Sequence, residues 1–281
     1  MSGPEILRLA AFTADPAGGN PAGVVLAEQL APVAEMQRIA AEVGYSETAF
    51  IAGDAISPRF TARYYSPAAE VAFCGHATIA AAIAMHERLG TGDVVLETPV
   101  GPVPVGVATG DDGAPVATLH STATVVEPLA DGDLDELLGH LGWGRAHLDP
   151  SLPPRVAYAG VRHPVITVRS RELLASLAYD FDDLRAQMLA QDWTTVQVIW
   201  RASATVFHAR DPFPVGGVVG DPATGAAAAA LGGYLRELGL IDIPTVVTVH
   251  QGEDMGRPSL LTVDVRDEPG VRVSGRAVAI V

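Results

Sequence analysis

The chain has no lysine: all 18 of its basic residues are arginine. Without a lysine amine there is no Schiff base to a carbonyl or to pyridoxal phosphate, and no P-loop lysine to reach a nucleotide phosphate. Two large cofactor classes are thereby excluded. Cysteine is nearly as scarce. The single Cys74 rules out an internal disulfide, a cysteine-cluster metal site and a two-thiol racemase mechanism. Positive charge is short as well. The formal net charge is −15 and no stretch gathers arginines, which argues against nucleic acid and against an anionic membrane as partners. No apolar run approaches a membrane span, and Met1-Ser2-Gly3-Pro4-Glu5 has no basic leader character, so a cytoplasmic protein is expected.

What is present describes a folded chain. Hydrophobic residues make up 48% and charged residues only 18%, and 281 residues suit two domains of ordinary size. Two short segments resemble copies of one device: Phe73-Cys74-Gly75-His76-Ala77-Thr78 and Gly220-Asp221-Pro222-Ala223-Thr224-Gly225. Each follows an extended stretch and opens into an Ala-rich helix, predicted over residues 79–89 and 226–238. A small-residue turn leading into a helix leaves free N–H groups and the positive end of the helix dipole aimed at one spot. That spot suits a carboxylate or another small anion.

Periodicity fills in the rest. An amphipathic helix is predicted over 31–43, with Gly44 as its C′ glycine, and strands over 6–12, 24–26, 46–51, 59–65, 94–107 and 116–119. The second half repeats the plan, with strands at 165–168, 196–200, 204–209, 246–250 and 260–265 and a helix at 182–191. Residues 128–154, rich in Asp, Gly and Leu, read as a linker holding a short helix. The fold class expected is α+β. The domains expected are 1–118, possibly joined by the last strand at 271–281, and 119–270.

Three side chains stand out for proton chemistry. Glu47 shares a strand face with Ala49 and Ile51, and a carboxyl on an apolar face exchanges protons nearer neutrality than one in water. It also reads as a strand-end glutamate reaching solvent. His76 at a helix start is held neutral by the dipole, able to accept a proton or donate a hydrogen bond, and equally reads as structural. Asp221 is either an acid/base group or an N-cap. Cys74 reads better as a buried inert thiol than as a nucleophile, and no histidine spacing points to a metal. The glycines from Gly216 to Gly220 are too irregular for a dinucleotide fingerprint.

Five motifs occur in order: Gly19-Asn20-Pro21-Ala22-Gly23-Val24-Val25; Tyr45-Ser46-Glu47-Thr48-Ala49-Phe50; Tyr65-Ser66-Pro67 leading to Cys74-Gly75-His76-Ala77-Thr78; Asp221-Pro222-Ala223-Thr224-Gly225; and Gln251-Gly252 with Met255-Gly256-Arg257-Pro258-Ser259. Together they resemble the phenazine-biosynthesis PhzF-like isomerase family, related in fold to diaminopimelate epimerase and proline racemase. The resemblance implies two similar domains, each a curved, mostly antiparallel sheet around a central helix, with the active site in the cleft between them. It implies cofactor-free proton transfer with Glu47 as acid/base and His76 and Asp221 assisting. Asn20, Ser46, Gly75, Gly225 and Ala226 would contact a small anionic metabolite, and the protein would be a homodimer. Gly220 and Ala226 depart from the family pattern, which usually has an acidic residue and a serine there. A non-catalytic metabolite-binding protein, or a hydrolase or lyase on the same fold, are the competing expectations.

Overall fold

The computed structural model describes residues 4–54 and 57–280; the expected reach of the last strand to Val281 and the Met1-Ser2-Gly3 start lie outside them. The chain forms two compact units. One runs to His120 and takes back the chain from Ser274, and the other is Ser121–Val273.

In the first unit the elements are β1 (Leu7–Ala11), β2 (Asn20–Ala27), α1 (Val33–Val43), β3 (Glu47–Ala52), β4 (Arg59–Tyr65), β5 (Glu70–Val71), α2 (Gly75–Leu89), β6 (Val94–Thr98), β7 (Gly101–Thr109) and β8 (Pro115–His120). α2 is the centre. Every residue from His76 to Met85 is buried, and strands on several sides pack against it, including β1, β2, β3, β7 and β8. A helix apolar all round is a buried helix. Its alanines let strands come close, while Ile79 and Ile83, both fully buried, each contribute roughly 1.5–3 kcal/mol of burial. α1 is amphipathic instead: Met36, Ile39 and Ala40 join Val25, Phe50 and Tyr65 in a separate cluster, and Gly44 closes the helix at φ 72°.

The second unit holds β9 (Val125–Pro128), α3 (Asp131–His140), β10 (Arg155–Tyr158), β11 (Arg162–Thr167), α4 (Arg171–Ala175), α5 (Phe181–Ala190), β12 (Gln197–Arg201), β13 (Val206–Phe213), β14 (Val218–Asp221), α6 (Gly225–Glu237), β15 (Thr245–Gln251) and β16 (Ser259–Val265). β17 (Arg272–Gly275) and β18 (Ala277–Ala279) follow. α6 takes the central place, packed on β9, β10, β11 and β16.

The ladders repeat between units. β1–β2, β3–β4, β4–β5, β6–β7 and β7–β8 are antiparallel, while β2–β3 and β4–β6 are parallel. In the second unit β10–β11, β12–β13, β13–β14 and β15–β16 are antiparallel, while β11–β12 and β13–β15 are parallel. The α+β reading, two similar domains of mostly antiparallel sheet with a central helix, is what the structure has.

Residues 128–154 are not a linker. α3 and the turn after it belong to the core of the second unit, where Leu134, Leu137, Leu138 and Leu141 pack with Leu184, Met188 and Trp193. Those leucines fall at helical spacing, and the intervening Asp and Gly residues, which face outward, gave the stretch its loop-like composition.

His163 of β11 is fully buried. Its Nδ1 lies 2.8 Å from Thr195 Oγ1 and its Nε2 has no partner, and burial pushes its pKa down to about 4. The folded state therefore holds it neutral where the unfolded chain, with a pKa of about 6.5, takes a proton. Stability is expected to fall as pH drops from about 6.5 towards 4, by about 2–3 kcal/mol from this group. Urea midpoints at pH 7 and 4.5 check this: the drop is expected to be smaller in His163→Gln, and an equal drop in both proteins would contradict it.

Candidate active site

Both devices sit at helix starts, and both helices begin earlier than periodicity suggested. α2 starts at Gly75 rather than near residue 79, so Gly75 and His76 lie in its first turn. The cap position is Cys74, extended at φ −145° and ψ 116°, and its side chain makes no capping bond. A buried relay fixes this backbone instead. Tyr64 Oη and Thr78 Oγ1 are 2.7 Å apart, and Thr78 Oγ1 donates to the Cys74 carbonyl at 2.7 Å. Burial raises the Tyr64 pKa well above its ordinary value, which keeps the phenol protonated.

Glu47 is the first residue of β3, paired in parallel with Ala22 of β2. Its side chain is 15% exposed and that of His76 is 7% exposed. Glu47 Oε2 lies 3.4 Å from His76 Nε2, and Ser46 Oγ lies 3.3 Å from the same nitrogen. The other face of the ring meets Cys74, whose Sγ is 3.3 Å from Nδ1. The same sulfur is 3.8 Å from Nε2, so it lies over the ring face, while Nε2 is the nitrogen that meets the carboxylate. A proton arriving on Glu47 then has an imidazole within reach. Asn20, 1% exposed, opens the neighbouring strand two residues before Ala22.

Ser46, Glu47, Cys74, Gly75 and His76 thus gather around the start of α2. One carboxylate oxygen, one sulfur and one ring nitrogen of Glu47, Cys74 and His76 lie within 4.8 Å of one another, a donor set able to hold a divalent ion such as zinc. Sequence spacing gave no sign of this set, because Glu47 comes from a separate strand.

In the second unit Asp221 ends β14 and is 9% exposed. It is not the cap of α6, which is Thr224, and the reading of Asp221 as an N-cap is corrected. Thr224 makes no capping bond with its hydroxyl either. It donates to Asp221 Oδ2 at 2.7 Å. Gln251 fastens the turn: its Nε2 donates to the Asp221 carbonyl at 2.8 Å and to Thr224 Oγ1 at 3.0 Å, and its Oε1 accepts from Thr224 N at 3.2 Å. Gly225 is buried at the first position of α6, with Ala226 next and half-buried. Thr224 and the clamp by Gln251 were missed as site residues. Their signal was Gln251-Gly252, one of the five ordered motifs and one without an assigned task.

A family profile described as phenazine biosynthesis-like protein matches residues 9–281. The uncharacterized isomerase YfhB of Bacillus subtilis is 30% identical over 290 residues, covering 99% of this chain and 97% of that protein. The trans-2,3-dihydro-3-hydroxyanthranilate isomerase of Pseudomonas fluorescens is 29% identical over 262 residues, covering 89% and 86%. Among solved structures, the Bacillus anthracis phenazine biosynthesis protein of the PhzF family superposes with a TM-score of 0.90 at 25% identity, covering 100% and 98%.

The Asp221 turn leans on Gly252, which has φ +74°; a Cβ there would lie 2.2 Å from Arg257 O and 2.8 Å from Pro222 O. Gly252→Ala is expected to cost at least about 1–3 kcal/mol, because strained backbone and a clash with main chain cannot both be relieved. Chemical denaturation reads the cost. A change below about 0.5 kcal/mol, the level of an ordinary surface substitution, would show that the turn yields.

Proposed function

Since the chain belongs to the phenazine biosynthesis-like family, we propose that it moves a proton on a small carboxylate-bearing metabolite, with Glu47 as the acid/base. It is an enzyme of the isomerase type, as its relatives are. The observation that carries the finer reading is the Glu47–His76 contact at the uncapped start of α2. Glu47 is mostly shielded from water, and only Oε2 is engaged by His76 at 3.4 Å, which leaves Oε1 for a substrate proton. First-turn amides of α2 offer a seat for the ligand's carboxylate.

In this proposal Glu47 takes a proton from carbon and returns it elsewhere on the same molecule. His76 orients the carboxylate and stabilises its charge. Asp221, with one oxygen fixed by Thr224, is the second proton-handling group. Asn20, Ser46, Gly75, Gly225 and Ala226 contact the ligand. The chemistry calls for no cofactor. A homodimer belongs to the proposal too, and light scattering is expected to give twice the chain mass, against which a monomer would count.

Trans-2,3-dihydro-3-hydroxyanthranilate, named for one relative, is the first compound to test. Incubated in heavy water, it is expected to gain deuterium on carbon with no other change in mass. Glu47→Gln is expected to slow that exchange by about 10²–10⁴-fold, the usual weight of a positioned acid/base, while the melting curve stays in place. Exchange within threefold of wild type would remove Glu47 from the mechanism. Gain of water or loss of a fragment would point to the hydrolase or lyase reading instead.

A further inference from the structure

Among the buried polar atoms of the second unit that have no hydrogen-bond partner, four belong to two residues that stand opposite each other across one ladder. They are both carboxylate oxygens of Asp211 and both amide atoms of Gln197. Asp211 is 1% exposed and Gln197 fully buried. β12 and β13 pair with Val198 opposite Arg210, and Val196 N donates to Pro212 O at 3.2 Å, so the register sets Gln197 directly opposite Asp211. Opposed residues of an antiparallel pair share a face with Cβ atoms about 4.5–5.5 Å apart, within reach of a side-chain rotation. On its other side Asp211 is paired with Asp221. Gln197, Asp211 and Asp221 therefore form one row across three strands.

Two ionised aspartates cannot sit cheaply in such a row. Burial foremost raises the Asp211 pKa well above the ordinary carboxylate range; the neighbouring Thr224 hydroxyl opposes this in part, and the Asp221 charge adds a smaller raise. Hydrogen-bond stoichiometry points the same way. A carboxylate is acceptor-only and would leave the Gln197 carbonyl unmatched, whereas a neutral acid offers one donor and one acceptor, the complement of a primary amide. O–H to Oε1 and Nε2–H to the acid carbonyl would satisfy all four orphaned atoms. Nor is the Thr224 hydroxyl free to serve an Asp211 anion, because it already gives its one proton to Asp221 Oδ2.

We propose that Asp211 is a positioning residue for Asp221: it is held as a neutral acid against Gln197, so that the Thr224 proton stays on Asp221 and the row carries a single negative charge. The proposal rests on the reading of Asp221 as a proton-handling group. Ionisation of Asp211 would compete for the Thr224 proton and repel the Asp221 charge, so activity declines at alkaline pH. The other titratable groups near Asp211 are Arg210 and Tyr179, which line with it a cavity of about 30 Å³. Arg210 Nη1 is committed to the carbonyls of Leu174, Ala175 and Leu177, and Tyr179 Oη to that of Val219.

Infrared difference spectra of the ligand-free protein at pH 7 test the protonation state without any substrate. A protonated-carboxyl carbonyl band is expected in wild type and absent in Asp211→Asn; identical spectra would overturn the proposal. The pH profile of kcat/KM for deuterium exchange tests the positioning. Its alkaline decline is expected to vanish in Asp211→Asn and to move at least about one pH unit lower in Gln197→Glu, which puts a second acid beside Asp211. A profile that is scaled down without moving its limbs would mean a merely structural residue and would also overturn it. Gln197→Glu supplies the answer if Asp211→Asn does not fold. If Asp221→Asn and Glu47→Gln both keep full exchange, the functional reading fails, and the infrared result still decides whether Asp211 is a neutral acid.

Discussion

A helix buried along its length still has a first turn whose N–H groups lack intrahelical partners, and the use of those groups organises both halves of this protein. The ordinary solution is a Ser or Thr hydroxyl at the cap, worth about 1 kcal/mol. Here the hydroxyls are sent elsewhere. Thr78, within α2, closes onto the Cys74 carbonyl with Tyr64 behind it, and Thr224, at the cap of α6, is turned onto Asp221. Each helix start is thus held rigid by side chains without being capped by them. No side-chain cap occupies the first-turn amides, and in the second unit the Thr224 hydroxyl that is diverted from the cap holds Asp221.

The repetition of ladders makes the two halves comparable residue by residue, and it shows that they are not equivalent chemically. Glu47 opens β3 at 28 residues before Gly75, and Gln197 opens β12 at 28 residues before Gly225. Cys74 corresponds to Thr224, and His76 to Ala226. One half carries a carboxylate with an imidazole beside it. The other carries a neutral amide at the same place and supplies its acid from the end of β14. A shielded acidic group stands in each half, in different positions, on one backbone plan.

Much of this was legible in the sequence. The Ala-rich helices, the Gly44 stop, the alternation of Phe60, Ala62 and Tyr64 in β4 and the two small-residue turns follow directly from local patterning, and the architecture with them. What escaped was of two kinds. Composition hid α3, since Asp and Gly on its outer face masked the buried leucines. Long-range pairing hid the contacts of the site: nothing local says that Glu47 meets the His76 ring, that Gln251 clamps Asp221 to Thr224, or that Asp211 lies between Gln197 and Asp221. An aspartate inside a strand, next to proline, was a usable hint, because strands disfavour Asp unless something holds it. The equal spacing of Glu47 and Gln197 from their helices was another.

The central claim is that Glu47 exchanges a proton with a carbon of a bound carboxylate-bearing molecule. The most direct measurement is a crystal structure with an unreactive analogue of such a substrate. The account predicts a Glu47 carboxylate oxygen within about 3–3.5 Å of the carbon that would exchange, the separation of a near-attack geometry, and the ligand carboxylate on the first-turn amides of α2. A ligand bound with Glu47 turned to solvent, or with another acid against that carbon, would contradict it.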